Sequence, residues 1–151
     1  VVSGERPAVE AALVIAKALG ARRAIELPVS VAAHSPLMAD AADGMRDVLA
    51  GISFRDPEPP LLANADARRI TTAEACRAEL VDHLTTGVDW VGAIHAMTAA
   101  GITTFIEVGP GQVLTGLIKR IAPSALALAL DDRAAADRLA IPFADTAAAD
   151  D

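Results

Sequence analysis

One histidine, His34, lies where a predicted strand meets a predicted helix. Residues 25–31 are rich in branched apolar side chains, which is typical of a buried strand. Ser35 suits a helix N-cap, and Pro36 suits the first helical position, where its missing N–H costs nothing. The positive end of that helix favours the neutral form of the imidazole. A neutral histidine held at the end of a strand is what general-base catalysis requires.

His34 can also be interpreted as a boundary histidine without a chemical role. Three stretches favour the catalytic interpretation: LPVSVAAHSPLM at 27–38, LLANAD at 61–66 and FIEVGPGQVL at 105–114. They resemble, in the same order, motifs of the malonyl-CoA:acyl carrier protein transacylases and of the related acyltransferase domains of polyketide synthases. The resemblance covers residues 1 to about 121, and it involves only the C-terminal part of that family's domain.

The resemblance implies roles for two histidines. In the family, a histidine deprotonates a serine nucleophile and later an incoming thiol, and the matching residue here is His34. His83 matches a position commonly held by glutamine, whose backbone carbonyl accepts a hydrogen bond from the catalytic histidine. That contact would fix the tautomer and leave Nε2 of His34 free to take a proton. The alternative, a partly exposed histidine at a helix end, is equally open for His83.

Two further residues are implied as substrate contacts. The family residue before the histidine is often phenylalanine in malonyl-specific members and serine in others. Here it is Ala33, so we expect an open pocket wall that favours malonyl-CoA but tolerates methylmalonyl-CoA. The resemblance also places Asn64 near the site, although the Asn-Ala-Asp at 64–66 is more often turn chemistry.

The serine nucleophile is not found in this sequence. It should stand in a G-x-S-x-G turn, and none of the following serines does: Ser3, Ser30, Ser35, Ser53 and Ser124. The family's oxyanion-hole glutamine and malonyl-binding arginine also belong to its N-terminal part. We therefore expect the chain to supply the base of an S-malonyltransferase of fatty acid or polyketide biosynthesis, and to be inactive alone. The expected partners are malonyl-CoA, acyl carrier protein and the missing N-terminal part of the same domain, with no cofactor.

The predicted fold class is α/β. Residues 1–30 contain a helix over 5–20 between strand-like segments at 1–3 and 22–29. The resemblance makes them the second half of a ferredoxin-like small subdomain, and it makes residues 31–130 the C-terminal part of an α/β-hydrolase-like acyltransferase domain. The periodicity of residues 31–130 predicts helices over 35–50, 71–84, 90–101 and 113–121 and strands over 61–63, 102–108 and 124–130.

Residues 131–151 differ in composition from the rest of the chain. They hold eight alanines, six aspartates and two arginines, so we predict a mobile and dispensable acidic tail. Because the sequence starts in a strand-like segment without methionine, we expect a fragment or a processed product.

Composition excludes several classes of function. The chain has 13 basic and 20 acidic residues, a net charge of −7, which argues against nucleic acid as a partner. No apolar run reaches the roughly 18 residues of a membrane span. The single cysteine, Cys76, falls on the apolar face of a predicted helix, where we expect inert packing. Since it can form no intrachain disulfide, a reducing compartment, the cytoplasm, is expected.

Two other functions are considered. Three histidines, His34, His83 and His95, are spaced at 49 and 12 residues, which matches no metal-ligand pattern; we expect no metal, and we place His95 on the surface or in packing. The glycine turn at 109–111 invites a nucleotide-binding interpretation, but its third glycine is replaced by Leu114. A non-catalytic scaffold or nucleotide-binding module that keeps part of the acyltransferase fold remains the alternative.

Overall fold

The computed structural model describes residues 1–131 in two compact units. The first is Val1–Asp89, and the second begins at Trp90. The predicted acidic tail, 131–151, lies outside the described residues except for Asp131. Across the described part of the chain, no helix combines the length and apolar character needed to cross a membrane.

The first unit is mainly helical, with one short antiparallel hairpin. Its elements are α1 (Arg6–Ala18), a 3-10 turn (Pro36–Met38), α2 (Ala39–Ala50), β1 (Leu61–Leu62), β2 (Arg69–Ile70) and α3 (Ala73–Asp82). Two small cores hold it together, one formed by Ala42, Leu49 and Val81 and one formed by Ala63, Ile70 and Cys76. The burial of Cys76 confirms its predicted packing role.

The strands predicted on either side of α1 are not formed. Residues 1–3 and 22–29 adopt no regular structure, so the predicted β-α-β segment of residues 1–30 is wrong in this structure. A strand needs a neighbouring strand to satisfy its N–H and C=O groups, and the described residues place none beside these segments. The large apolar side chains of these segments are exposed, and α1 itself buries no residue and exposes Val14 and Ile15.

Two details of α3 differ from the prediction. The Thr-Thr-Ala-Glu at 71–74 predicts a capping box with Thr71 as the N-cap, but the N-cap is Thr72, whose hydroxyl accepts a hydrogen bond from the Ala75 N–H at 3.2 Å. The spacing of Cys76, Leu80 and Leu84 predicts that Leu80 faces the interior, but Leu80 is exposed and Val81 is buried against α2. The face of α3 is set by its contact with α2, which its own periodicity does not reveal.

The second unit confirms its predicted elements. It comprises α4 (Trp90–Ala99), β3 (Thr104–Val108), α5 (Val113–Ile121) and β4 (Leu126–Leu130). β3 and β4 are parallel, and α5 is the crossover between them. Residues from all four elements share one core, formed by Ile94, Phe105, Ile118, Ala122 and Ala127.

A carboxylate from β3 caps α5. The side chain of Glu107 accepts hydrogen bonds from the N–H groups of Leu114 at 3.0 Å and Thr115 at 2.7 Å. The residue at the N-cap position, Gln112, makes no such bond. The Thr115 hydroxyl and the two N–H groups lower the pKa of Glu107 from its ordinary value of 4.5.

This cap predicts acid-sensitive stability of the second unit. Because the pKa of Glu107 is lowered by folding, its contribution is present above the unfolded pKa and is lost as pH falls through the folded pKa. Glu107→Gln should therefore lower the urea midpoint near neutral pH, and its deficit should shrink by about pH 3. Fluorescence of Trp90, the single tryptophan, reports on this unit. Glu10→Gln, at an exposed position in α1, is the matched charge control. An equal deficit at both pH values contradicts the prediction.

Candidate active site

His34 ends the irregular segment that leads into α2, and it is held there by its neighbour. Ser35 is buried, donates its hydroxyl to the Ala32 carbonyl at 2.7 Å, and accepts from the Leu37 N–H at 3.3 Å. The predicted cap at Ser35 is therefore confirmed, and it begins the 3-10 turn before α2. These bonds fix the backbone on the C-terminal side of an exposed imidazole.

The backbone of His34 is in the left-handed region, with φ of 60°. This conformation costs an L-residue about 1–2 kcal/mol, and residues that persist in it are concentrated at functional sites. Nothing in the local sequence signals it, because histidine tolerates both conformations.

The ring of His34 contacts the end of α3. Its Nδ1 lies 2.7 Å from the backbone oxygen of His83. A carbonyl oxygen only accepts, so Nδ1 carries the proton and Nε2 bears the lone pair when the ring is neutral. The structure thus brings together the two histidines singled out in the sequence, which are 49 positions apart.

The ring of His83 is itself engaged by α3. Its Nδ1 lies 3.0 Å from the backbone oxygen of Glu79, which also accepts the His83 N–H at 3.0 Å. The two imidazole rings are 5.9 Å apart between centroids and are tilted by 49°. His83 therefore offers its carbonyl to His34, while its ring is turned toward the preceding helical turn.

The other two predicted site residues are in the same unit. Ala33 directly precedes His34 and is half-buried. Asn64 lies in the β1–β2 turn, where its N–H donates to the Glu79 carboxylate at 2.7 Å and its carbonyl accepts from the Asp89 N–H at 2.7 Å. The third histidine, His95, is exposed on α4 in the second unit, as predicted.

Sequence reasoning missed Glu79. This residue precedes His83 by four positions and so shares its face of α3, but the partner of its carboxylate comes from a turn 15 positions away. A carboxylate one helical turn before a candidate site residue is the only signal that the sequence offers for Glu79.

The structure also bears on nucleotide binding and metal binding. The N–H groups at the start of α5, where a phosphate would bind, are occupied by the Glu107 carboxylate. Its negative charge would also repel a phosphate, which argues against nucleotide binding at the glycine turn. Within residues 1–131, no three His, Cys, Asp or Glu side chains are grouped to hold a metal ion.

Sequence comparisons connect the chain with one family. It is 44% identical over 132 residues to the malonyl CoA-acyl carrier protein transacylase of Escherichia coli strain K12, a match that covers 87% of this chain and 43% of that protein. It is 38% identical to the corresponding protein of Bacillus subtilis strain 168, over 87% of this chain and 42% of that protein. The chain thus spans less than half the length of these curated relatives. No family model matches it.

Solved structures give the same result. An acyl carrier protein S-malonyltransferase from Vibrio cholerae matches 90% of this chain and 44% of its own, with a TM-score of 0.85 and 40% identity. A malonyl-transacylase solved in complex with a type II PKS acyl-carrier protein matches 87% and 43%, with a TM-score of 0.83 and 44% identity. The chain is therefore identified as a homologue of part of the malonyl-CoA:acyl carrier protein transacylases, and the family resemblance of its motifs is confirmed.

Proposed function

We propose that His34 is the general base of malonyl transfer from coenzyme A to acyl carrier protein, within a domain completed by a further stretch of protein. The observation that carries the proposal is the 2.7 Å contact between Nδ1 of His34 and the His83 carbonyl. It orients the ring and, in the neutral imidazole, places the proton on Nδ1 and the lone pair on Nε2 of an exposed side chain. The names of the relatives support the substrates.

The reaction needs Nε2 twice. It first accepts the proton of a serine hydroxyl, whose oxygen attacks the malonyl thioester, and the imidazolium then protonates the departing coenzyme A thiolate. In the second half, Nε2 accepts the proton of the carrier protein's thiol, whose sulfur attacks the malonyl ester, and the serine oxygen recovers a proton from His34. The carbonyl of His83 stabilises the imidazolium in both halves through the Nδ1–H.

The rest of the catalytic machinery is proposed to lie outside this chain. Within the described residues, no serine hydroxyl is bonded to His34, and Ser35 is buried with its own partners. The exposed apolar side chains of residues 25–31 and of α1 fit a surface that further protein covers. We propose that residues 1–30, once this further protein supplies the neighbouring strands that are missing here, complete a ferredoxin-like subdomain within an α/β-hydrolase-like domain that acts in the cytoplasm.

A chimera tests the proposed base. When this chain replaces the matching 132 residues of the Escherichia coli relative, malonyl transfer to acyl carrier protein should be retained. His34→Ala should lower kcat by about a thousandfold or more, because a coupled catalytic unit loses its base. The exposed His95→Ala is the matched control and should stay within about twofold.

Two results count against the proposal. A folded wild-type chimera without transfer activity contradicts malonyl transfer and favours the scaffold alternative. If the His34→Ala chimera transfers malonyl as fast as the wild-type chimera, His34 is not the base. The 151-residue chain alone should not transfer malonyl.

His83→Gln separates the carbonyl of His83 from its ring. If the carbonyl acts, the variant chimera should keep activity within about threefold, because any residue there offers the same acceptor. Steady-state kinetics beside the His34→Ala chimera measure this. A loss close to that of His34→Ala means that the imidazole of His83 is required.

Ala33→Phe tests the proposed acyl pocket. The small side chain beside His34 leaves room for a methyl on the malonyl α-carbon, and one methyl or methylene is worth about 1–3 kcal/mol of discrimination. The wild-type chimera should prefer malonyl-CoA and still accept methylmalonyl-CoA, and Ala33→Phe should raise the ratio of their kcat/KM values. An unchanged ratio means that Ala33 does not line the pocket.

A further inference from the structure

The side chain of Glu79 joins α3 to the β1–β2 turn by a hydrogen bond. Its Oε1 accepts the Asn64 N–H at 2.7 Å, and its Oε2 lies 3.7 Å from Nη2 of Arg68 in the same turn. The carboxylate is only 15% exposed. A hydrogen bond to a charged and largely buried acceptor is among the stronger single contacts of a protein.

Asn64 links Glu79 to Asp89, which ends the segment 83–89. This segment begins with His83, whose carbonyl contacts His34. The carbonyl of Asn64 accepts the Asp89 N–H at 2.7 Å. Residues 83–89 are therefore held at both ends. At the start, the Glu79 carbonyl accepts both the N–H and Nδ1 of His83; at the end, the Glu79 carboxylate acts through Asn64.

The orientation of His34 depends on this segment. Its Nδ1 is 2.7 Å from the first carbonyl of the segment, and a left-handed backbone such as that of His34 persists only where the surrounding structure fixes it. We propose that Glu79 is a positioning residue for His34, acting through Asn64 and the 83–89 segment; the catalytic meaning of that positioning rests on the proposed function.

The test measures the tautomer of His34 in the 151-residue chain by long-range ¹H–¹⁵N NMR. Glu79→Ala should lower the ratio of Nδ1–H to Nε2–H forms by about tenfold, the worth of one hydrogen bond. Glu79→Gln should largely restore it, because the amide oxygen still accepts the Asn64 N–H. Glu74→Ala, an exposed position on the same helix with the same charge change, is the matched control and should leave the ratio unaltered.

The same spectra show whether each variant is folded, so that a loss of structure is not mistaken for a loss of positioning. The amide signals of Ile70 and Cys76, both buried, report whether the fold is intact. If Glu79→Ala does not fold, Glu79→Asp keeps the charge, retracts the carboxylate by one methylene and carries the same expectation. An unaltered ratio in a folded Glu79→Ala or Glu79→Asp chain overturns the proposal. A shift in Glu79→Gln as large as in Glu79→Ala also overturns it.

The chimera separates this proposal from the proposed function. Glu79→Ala should lower kcat with little change in KM, because a misplaced base slows proton transfer and leaves substrate binding intact. A loss confined to KM contradicts the positioning role. A wild-type chimera without activity counts against the proposed function only, since the tautomer ratio is measured on this chain alone.

Discussion

The hydrogen bond from Nδ1 of His34 to the backbone oxygen of His83 is the contact on which the site depends. It joins the entry of α2 to the end of α3, two places 49 positions apart in the chain. Each side is prepared by its own local structure. Ser35 anchors the backbone after His34, and α3 ends so that the His83 carbonyl is left without a helical partner and is free to accept.

Because the acceptor is a backbone oxygen, this contact does not require a particular side chain at position 83. The carbonyl of residue 83 is present whatever the side chain, so a histidine at a position where the family commonly has glutamine need not alter the chemistry. What the segment requires is a fixed position, and the bonds from Glu79 to Asn64 and from Asn64 to Asp89 restrain it. The imidazole of His34 can therefore be exposed while the groups that orient it are held in place.

Local patterns predicted the parts of the fold that depend on local interactions. The cap at Ser35 and the helices and strands of the second unit follow from residue type and periodicity. The strands expected at residues 1–3 and 22–29 did not form, because a strand is specified as much by its neighbour as by its own residues. Likewise, Val81 rather than Leu80 is buried because Val81 packs against Ala42 and Leu49 of α2.

The site was predictable only where a motif fixed it. The family resemblance predicted the candidate site residues, which are Ala33, His34, Asn64 and His83. The resemblance did not predict the left-handed backbone at His34. It also did not predict a role for Glu79, whose carboxylate accepts a hydrogen bond from the Asn64 N–H, 15 positions away in the chain. Such contacts leave no periodic signal in the sequence.

A backbone ester tests the central contact most directly. Replacing Leu84 with its α-hydroxy acid turns the His83 carbonyl into an ester carbonyl, a weaker acceptor, and leaves every side chain in place. It also removes the Leu84 N–H, which donates to Val81 at 3.3 Å; the same replacement at Thr86, whose N–H donates to Asp82 at 3.1 Å, controls for such a loss. The account predicts that the Nδ1–H tautomer of His34 loses population with the ester at 84 and keeps it with the ester at 86. Equal populations in both esters and the unmodified chain would contradict it.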